Sequence, residues 1–259
     1  MSDMKNLGWT FDTAAQAYDK MRPGYVPCLY EDIFSYLPVD NSSSVLEIGI
    51  GSGQATRPIL EKGCWLTAVE YGSQLAQTCL RKFREFDRFS IEVQTFEAFS
   101  APPASYDLIF SATAFHWIPE EIGYPKVFSL LKSGGAFARF ANHPYIAAHQ
   151  KELFDAIQNI YAVYMPGPAP SQYTRQKAHH LAVIAQKYGF IDTCYHLYQR
   201  TRTFSSQEYI SLLGTYSDHI AIQEPTRSEF FSLIRQAIEK AGGQITLCDT
   251  IDLQLARKP

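Results

Sequence analysis

Ser44-Val45-Leu46-Glu47-Ile48-Gly49-Ile50-Gly51-Ser52-Gly53-Gln54-Ala55-Thr56 is the stretch that decides the fold. Val45, Leu46 and Ile48 form a short apolar run with β-branched members, the pattern of a strand buried on both faces. Gly49, Gly51 and Gly53 follow, and glycine allows backbone angles and ligand approaches that a side chain forbids. Over residues 54–60 the pattern turns helical, and the free N–H groups of a helix start can hold an anion. Strand, glycine turn and helix together predict a nucleotide-like ligand. The dinucleotide fingerprint G-x-G-x-x-G is incomplete here: from Gly49 its last position falls on Gln54, and from Gly51 on Thr56. The stretch reads acid-x-G-x-G-x-G instead, with Glu47 as the acid.

In this arrangement the chain resembles the class I S-adenosylmethionine-dependent methyltransferases. The resemblance implies that Glu47 lies near the ligand's ammonium and that Gly49, Gly51 and Gly53 pack on its methionine part. S-adenosylmethionine carries no pyrophosphate, so dense phosphate cradling is not required. Trp65-Leu66-Thr67-Ala68-Val69-Glu70 reads as a second strand, and Glu70 follows Gly49 by 21 residues. An acid at that distance can accept from both ribose hydroxyls, as the family's acid does. Tyr71 is placed to cover the adenine or ribose.

Composition allows one large α/β domain with insertions: 259 residues, of which 46% are hydrophobic. The formal net charge of -3 argues against a broad nucleic-acid surface. Five cysteines, with no C-x-x-C pair, exclude a disulfide framework and a cysteine metal centre as expectations. No apolar leader or run of membrane-spanning length is present, so a reducing cytoplasm is expected.

Residues 8–38 precede the first strand. Phe11, Ala14, Ala15, Tyr18 and Met21 recur at helical spacing, and Leu29, Ile33, Phe34 and Leu37 form a second helical face. This opening resembles that of small-molecule enzymes akin to trans-aconitate methyltransferase. There it folds over the cofactor and substrate mouth, which implies roles for Tyr18, Arg22 and Tyr25. Residues 73–86 read as an amphipathic helix capped by Ser73, with Leu75, Cys79, Leu80 and Phe83 inward and Arg81, Lys82, Arg84 and Arg88 solvated. Residues 90–94 alternate as a third strand, and the family's adenine-bordering loop matches Phe96 and Glu97. Residues 106–111 form a fourth strand leading into Ala112-Thr113-Ala114-Phe115-His116-Trp117. The resemblance places Ser111 and Ala112 near the cofactor and His116 and Trp117 near the transferring methyl. A short helix over 125–131 and a fifth strand over 136–140 complete the alternation.

The expected fold is α/β: a doubly wound, Rossmann-like, seven-stranded, mostly parallel sheet with an antiparallel C-terminal hairpin and helical cap insertions. The divisions are an N-terminal helical lid (1–40), a core (41–142), a helical insertion (143–192) and C-terminal strands and helices (193–259) with an insertion at 205–222. Residues 165–171 form a Pro/Gly break, read as a plain surface loop or, alternatively, as a lid on the substrate side. The wall of the acceptor site is assigned to residues 214–219, including Tyr216. His116 and His143 are the candidate bases, and Arg22 or Arg139 the candidate partner for an acidic acceptor. The expected function is methyl transfer to a small organic acceptor. The alternatives are a cofactor-binding regulator without turnover and an NAD-dependent oxidoreductase, against which the missing third glycine counts.

Overall fold

The structure, a computed structural model, describes Arg22 and residues 24–259. The predicted helix over 11–21, with Tyr18, lies outside the described residues.

The apolar run at the start of the glycine motif forms β1 (Ser44–Ile48), four of whose five residues are buried. It lies between β2 (Trp65–Glu70) and β4 (Tyr106–Ala112), parallel to both. β3 (Phe89–Val93) runs parallel to β2, and β5 (Leu131–Ile146) parallel to β4. With β6 (Ile191–Ser205) and β7 (Gln244–Arg257) the seven strands take the order β3-β2-β1-β4-β5-β7-β6. At β7 the direction reverses. Gly135 bonds to Lys258 while Ala147 bonds to Thr246, so residue numbers run in opposite senses, as in an antiparallel pair.

Strand side chains alternate between faces. Val45, Leu66, Leu108, Phe110 and Phe140 point to one face, under α1 (Pro27–Tyr36), α2 (Arg57–Leu60) and α3 (Ser73–Lys82). Leu46, Ile48, Val69, Ile109 and Phe137 point to the other, under α4 (Glu120–Leu130) and α6 (Arg175–Ile184). Helices on both faces bury both sides of β1 and β4, which is why apolar residues dominate Val45 to Ile48 and Leu108 to Phe110, with Glu47 as the exception.

Two compact units are distinguished. The first holds residues 24–142, Thr174–Tyr198 and Ile251–Pro259; the second holds Arg22, His143–Tyr173 and Gln199–Thr250. The second has its own core. Leu153 and Ile157 of α5 (Lys151–Tyr164), Leu212 and Leu213 of α7 (Ser206–Leu213), and Phe230 and Ile234 of α9 (Thr226–Lys240) pack with Ile245 and Leu247. Ser205 and Glu208 form a capping box at the start of α7, satisfying donors on both sides of the helix start. The short α8 (Ser217–Ile220) belongs to the same unit.

Several local expectations are corrected. The helix after the glycine turn begins at Arg57 rather than at 54, with a proline in its first turn. The hydroxyl of Thr56, its N-cap residue, donates to Glu47 instead of capping. Ser73 is the first residue of α3 and not its cap; Gly72, in extended backbone, takes that place. Leu80 is exposed, because the buried stripe of α3 runs through Leu75, Ala76 and Cys79. α4 starts at Glu120, not 125: Pro119 precedes it, and Glu120 and Glu121 fill its first turn, where the helix dipole favours anions. β5 begins at Leu131 and extends through Ile146, well beyond the predicted 136–140.

Phe230 is fully buried at the centre of the second unit's core. Phe230→Ala is expected to cost about 3–5 kcal/mol, read as a lower urea midpoint.

Candidate functional site

Parallel pairing brings the C-terminal ends of β1, β2, β3 and β4 to one edge of the sheet. Ile48 lies beside Val69, Glu70 beside Val93, and Glu47 beside Phe110. Ligands of open α/β sheets bind outside this edge. Here it carries the glycine turn, Glu70, the loop over 94–99 and the segment over 112–117.

The turn is held from several sides. A side-chain carbon on Gly49 would stand 2.5 Å from the Ala114 Cβ, and one on Gly53 would stand 2.4 Å from the Phe83 ring. Both glycines have positive φ, +72° and +77°, so any other residue would be strained as well as crowded. The Gly51 N–H donates to Glu70 Oε2 at 2.9 Å, and Glu70 Oε1 accepts the Gly72 N–H at 2.8 Å. Cys79 Sγ–H donates to the Gly51 carbonyl, and Lys82 Nζ to the Ser52 carbonyl at 2.9 Å. Lys82 therefore departs from the solvated face expected of it.

Two carboxylates lie on this edge in different surroundings. Glu47 is fully buried; its Oε2 accepts the Thr56 hydroxyl at 2.8 Å, and among the described residues its Oε1 finds no donor. Burial pushes its pKa up to about 8; the Thr56 bond opposes that rise and Glu70 adds to it. An orphaned buried acceptor of this kind suits a ligand cation or a bridging water. Glu70 uses one lone pair on each oxygen for backbone N–H groups. A carboxylate that accepts through both of its oxygens is the kind of group that suits a vicinal diol. The donor set thus fits an ammonium-bearing nucleoside.

The other predicted residues are placed as follows. Ser111 is fully buried, its hydroxyl donating to the Ile48 carbonyl at 2.9 Å, so it ties β4 to β1; Ala112 ends β4. Phe96 has its ring in the core, whereas Glu97 is exposed, so the 94–99 loop offers backbone and one carboxylate. Tyr71 is exposed. His116 and Trp117 share a short 3-10 turn, exposed, with ring centroids 4.9 Å apart, and Phe115 anchors the turn in the core. Arg139 turns to the Tyr124 hydroxyl at 3.3 Å and stands 5.7 Å from the Phe115 ring centroid. Tyr25 packs edge-on against Phe140, and its hydroxyl is 2.7 Å from the Thr113 Oγ1.

In the second unit Arg22 donates through Nε and Nη2 to Thr215 Oγ1 and its carbonyl, both at 3.1 Å, and lies 4.2 Å over the Tyr216 ring. Arg22 and Tyr216, assigned separately from the sequence, are thus in contact. Near them His219 is buried, with Nε2 2.7 Å from the Tyr161 hydroxyl and Nδ1 2.7 Å from Asp218 Oδ1. His143 stacks on Tyr173 with ring centroids 3.8 Å apart. Among the described residues no group of His, Cys, Asp and Glu is arranged to hold a metal ion.

Sequence reasoning missed Thr113, a β-branched residue at φ +55°. Its N–H donates to the Phe140 carbonyl at 2.8 Å, and its hydroxyl accepts the Asn142 N–H at 3.4 Å. A threonine in the left-handed region is strained, and such strain persists where neighbours over-determine it. No residue type in the segment announces it.

Residues 45–135 match the family model described as a methyltransferase domain. An uncharacterized methyltransferase of Geobacillus thermodenitrificans is 31% identical over 153 residues, covering 56% of this chain and 68% of that protein. Trans-aconitate 2-methyltransferase of Rhodopseudomonas palustris is 30% identical over 108 residues, 41% of each chain. The chain spans about half the length of several curated relatives, 53% of one from Schizosaccharomyces pombe. Among solved structures, Haemonchus contortus phosphoethanolamine N-methyltransferase 2, in complex with phosphomonomethylethanolamine and S-adenosylhomocysteine, superposes with a TM-score of 0.55 at 17% identity. That superposition covers 96% of this chain and 57% of the other, and it shows a shared fold.

Two outcomes follow from the strain and the buried acid. Thr113→Ala and Thr113→Gly both lose the hydroxyl, but only glycine is relaxed at positive φ. The glycine variant is therefore expected to be the more stable by about 1 kcal/mol in urea unfolding. The raised pKa of Glu47 means that the folded state holds a proton which the unfolded state has lost above its ordinary 4.5. That contribution to stability is full below pH 4.5 and is lost as pH rises to about 8. Glu47→Gln keeps the neutral form at every pH. Its Tm relative to wild type is expected to rise by about ten degrees between pH 5 and pH 8, on the order of 4 kcal/mol.

Proposed function

The chain belongs to the class I S-adenosylmethionine-dependent methyltransferase family, and from this we propose that it transfers a methyl group from S-adenosylmethionine to a small organic acceptor by direct in-line displacement. The observation that carries this reading is the paired state of the two acids. Glu47 offers an orphaned, buried oxygen behind the glycine turn, and Glu70 is locked to the Gly51 and Gly72 N–H groups beside it. When bound, S-adenosylmethionine supplies a sulfonium methyl that needs only an aligned nucleophile.

The chain's own part is then positioning. Gly49, Gly51 and Gly53 let the main chain carry the amino-acid end, with Glu47 as its charge partner and Ser111 and Ala112 beside it. Glu70 grips the sugar, with Tyr71 over it, and the Phe96-Glu97 loop borders the base. Tyr18 and Arg22 complete the assigned cofactor contacts. Tyr25, Trp117, Arg139 and Tyr216 are assigned to the acceptor. An acceptor carboxylate needs no base. A phenol or amine gives up a proton, and His116, exposed on its 3-10 turn, is assigned to take it, with His143 as the second candidate. The name of the Rhodopseudomonas relative, which acts on a small organic acid, supports a small acceptor here.

Calorimetric titration with S-adenosylhomocysteine is the test. Wild type is expected to bind it, and Glu70→Ala to bind it at least about tenfold more weakly through loss of charge-assisted hydrogen bonds. Folded wild type that takes up none would overturn the reading. Release of S-adenosylhomocysteine over panels of acids, amines and phenols then separates an enzyme from a silent binder.

A further inference from the structure

Lys126, on α4, holds a loop 30 residues away. Its Nζ donates to the main-chain oxygens of Phe96 at 2.6 Å and Glu97 at 2.9 Å, and to that of Phe99. An ammonium has three protons, and these carbonyls take all three. The Nζ also lies 5.0 Å from the centroid of the Phe96 ring, which is buried in the core. Burial lowers the Lys126 pKa, with Glu97 opposing, so the cation has given up hydration for these contacts.

The clamp fixes the loop's main chain. A trans peptide sets each carbonyl opposite the next N–H. With the Phe96 carbonyl on Lys126, the Glu97 N–H faces the other way, and among the described residues it meets no acceptor. The Glu97 carbonyl is held in the same manner, and the Ala98 N–H closes on Thr95 O at 3.1 Å. The loop begins beside Glu70, whose carbonyl accepts the Gln94 N–H at 3.0 Å. A ligand laid from the glycine turn past Glu70 brings its base to this loop. Glu97 then presents one donor, its N–H, and one acceptor, its exposed carboxylate. Adenine has the matching edge, a ring-nitrogen acceptor beside an amine donor; hypoxanthine reverses both.

We propose that Lys126 is a positioning residue: by clamping the carbonyls of Phe96, Glu97 and Phe99 it aims the Glu97 N–H and carboxylate as a pair, and so sets the choice of adenine over hypoxanthine. This rests on the cofactor reading above. The test is calorimetry with S-adenosylhomocysteine and S-inosylhomocysteine on wild type, Lys126→Met and Lys126→Arg. Wild type is expected to prefer the adenine ligand by at least about tenfold, since a site built to hydrogen-bond one edge rejects the reversed one. Lys126→Met keeps the stem over Phe96 and is expected to bring the ratio close to one. Lys126→Arg keeps a cation, but its planar fork cannot face three carbonyls at once. It is expected to fall between the other two, and it carries the test if the methionine variant does not fold. A ratio unchanged in the variants, including an equal loss of both ligands, overturns the positioning role. Wild type that binds the two equally overturns it as well. Wild type that binds neither overturns the cofactor reading itself.

Discussion

A methyl group's worth of space is missing between Gly49 and Ala114, where an added carbon would stand 2.5 Å from the alanine Cβ. The turn after β1 and the loop after β4 therefore meet as backbone against a small side chain. Gly53 against the Phe83 ring imposes the same condition on the other flank. Between these two contacts the turn is tied by Glu70, Cys79 and Lys82. A turn restrained at so many points has little left to order when a ligand arrives, and less of the binding free energy is lost to that ordering. The strain at Thr113 belongs to the same constraint. The residue before Ala114 must bend sharply out of β4, and bonds to Phe140 and Tyr25 hold it there.

Two glutamates on neighbouring strands show how environment divides labour. Glu70 accepts from two backbone N–H groups. Glu47 has one hydroxyl donor among the described residues, and burial favours its proton. The nearby charge of Glu70 pushes in the same direction. Had both been solvated, neither would distinguish a cation from a neutral group. As built, an arriving ammonium supplies the partner that Glu47 lacks.

The sheet was legible because β1 and β4 are apolar runs and the glycines punctuate them. Errors gathered where a local signal had a distant competitor. Thr56 reads as a helix residue but its hydroxyl goes to Glu47, and Lys82 reads as solvated but reaches Ser52. In both cases the deciding partner lies beyond the reach of helical periodicity, nine residues away for Thr56 and 30 for Lys82. The acid-glycine motif was readable because its residue types are contiguous, although the groups that hold its turn come from elsewhere in the chain.

That difference bears on how recognition is distributed along the chain. The edge formed by β1, β2 and β3 presents main-chain groups of the glycine turn and two acids, and main-chain groups do not depend on side-chain identity. Such a surface tolerates substitution around a few glycines, and the family match accordingly covers residues 45–135 at modest identity in the relatives. Side chains that hold this backbone from a distance, as Lys126 does, need only place a donor at a given point, and several positions on a helix can reach it. Recognition by side-chain rings and charges is different in kind, because it depends on which residue stands at each position. Recognition by backbone leaves side chains elsewhere on the same sheet scaffold free to differ without disturbing the turn, so one fold can carry one mode of ligand binding with different partner chemistry.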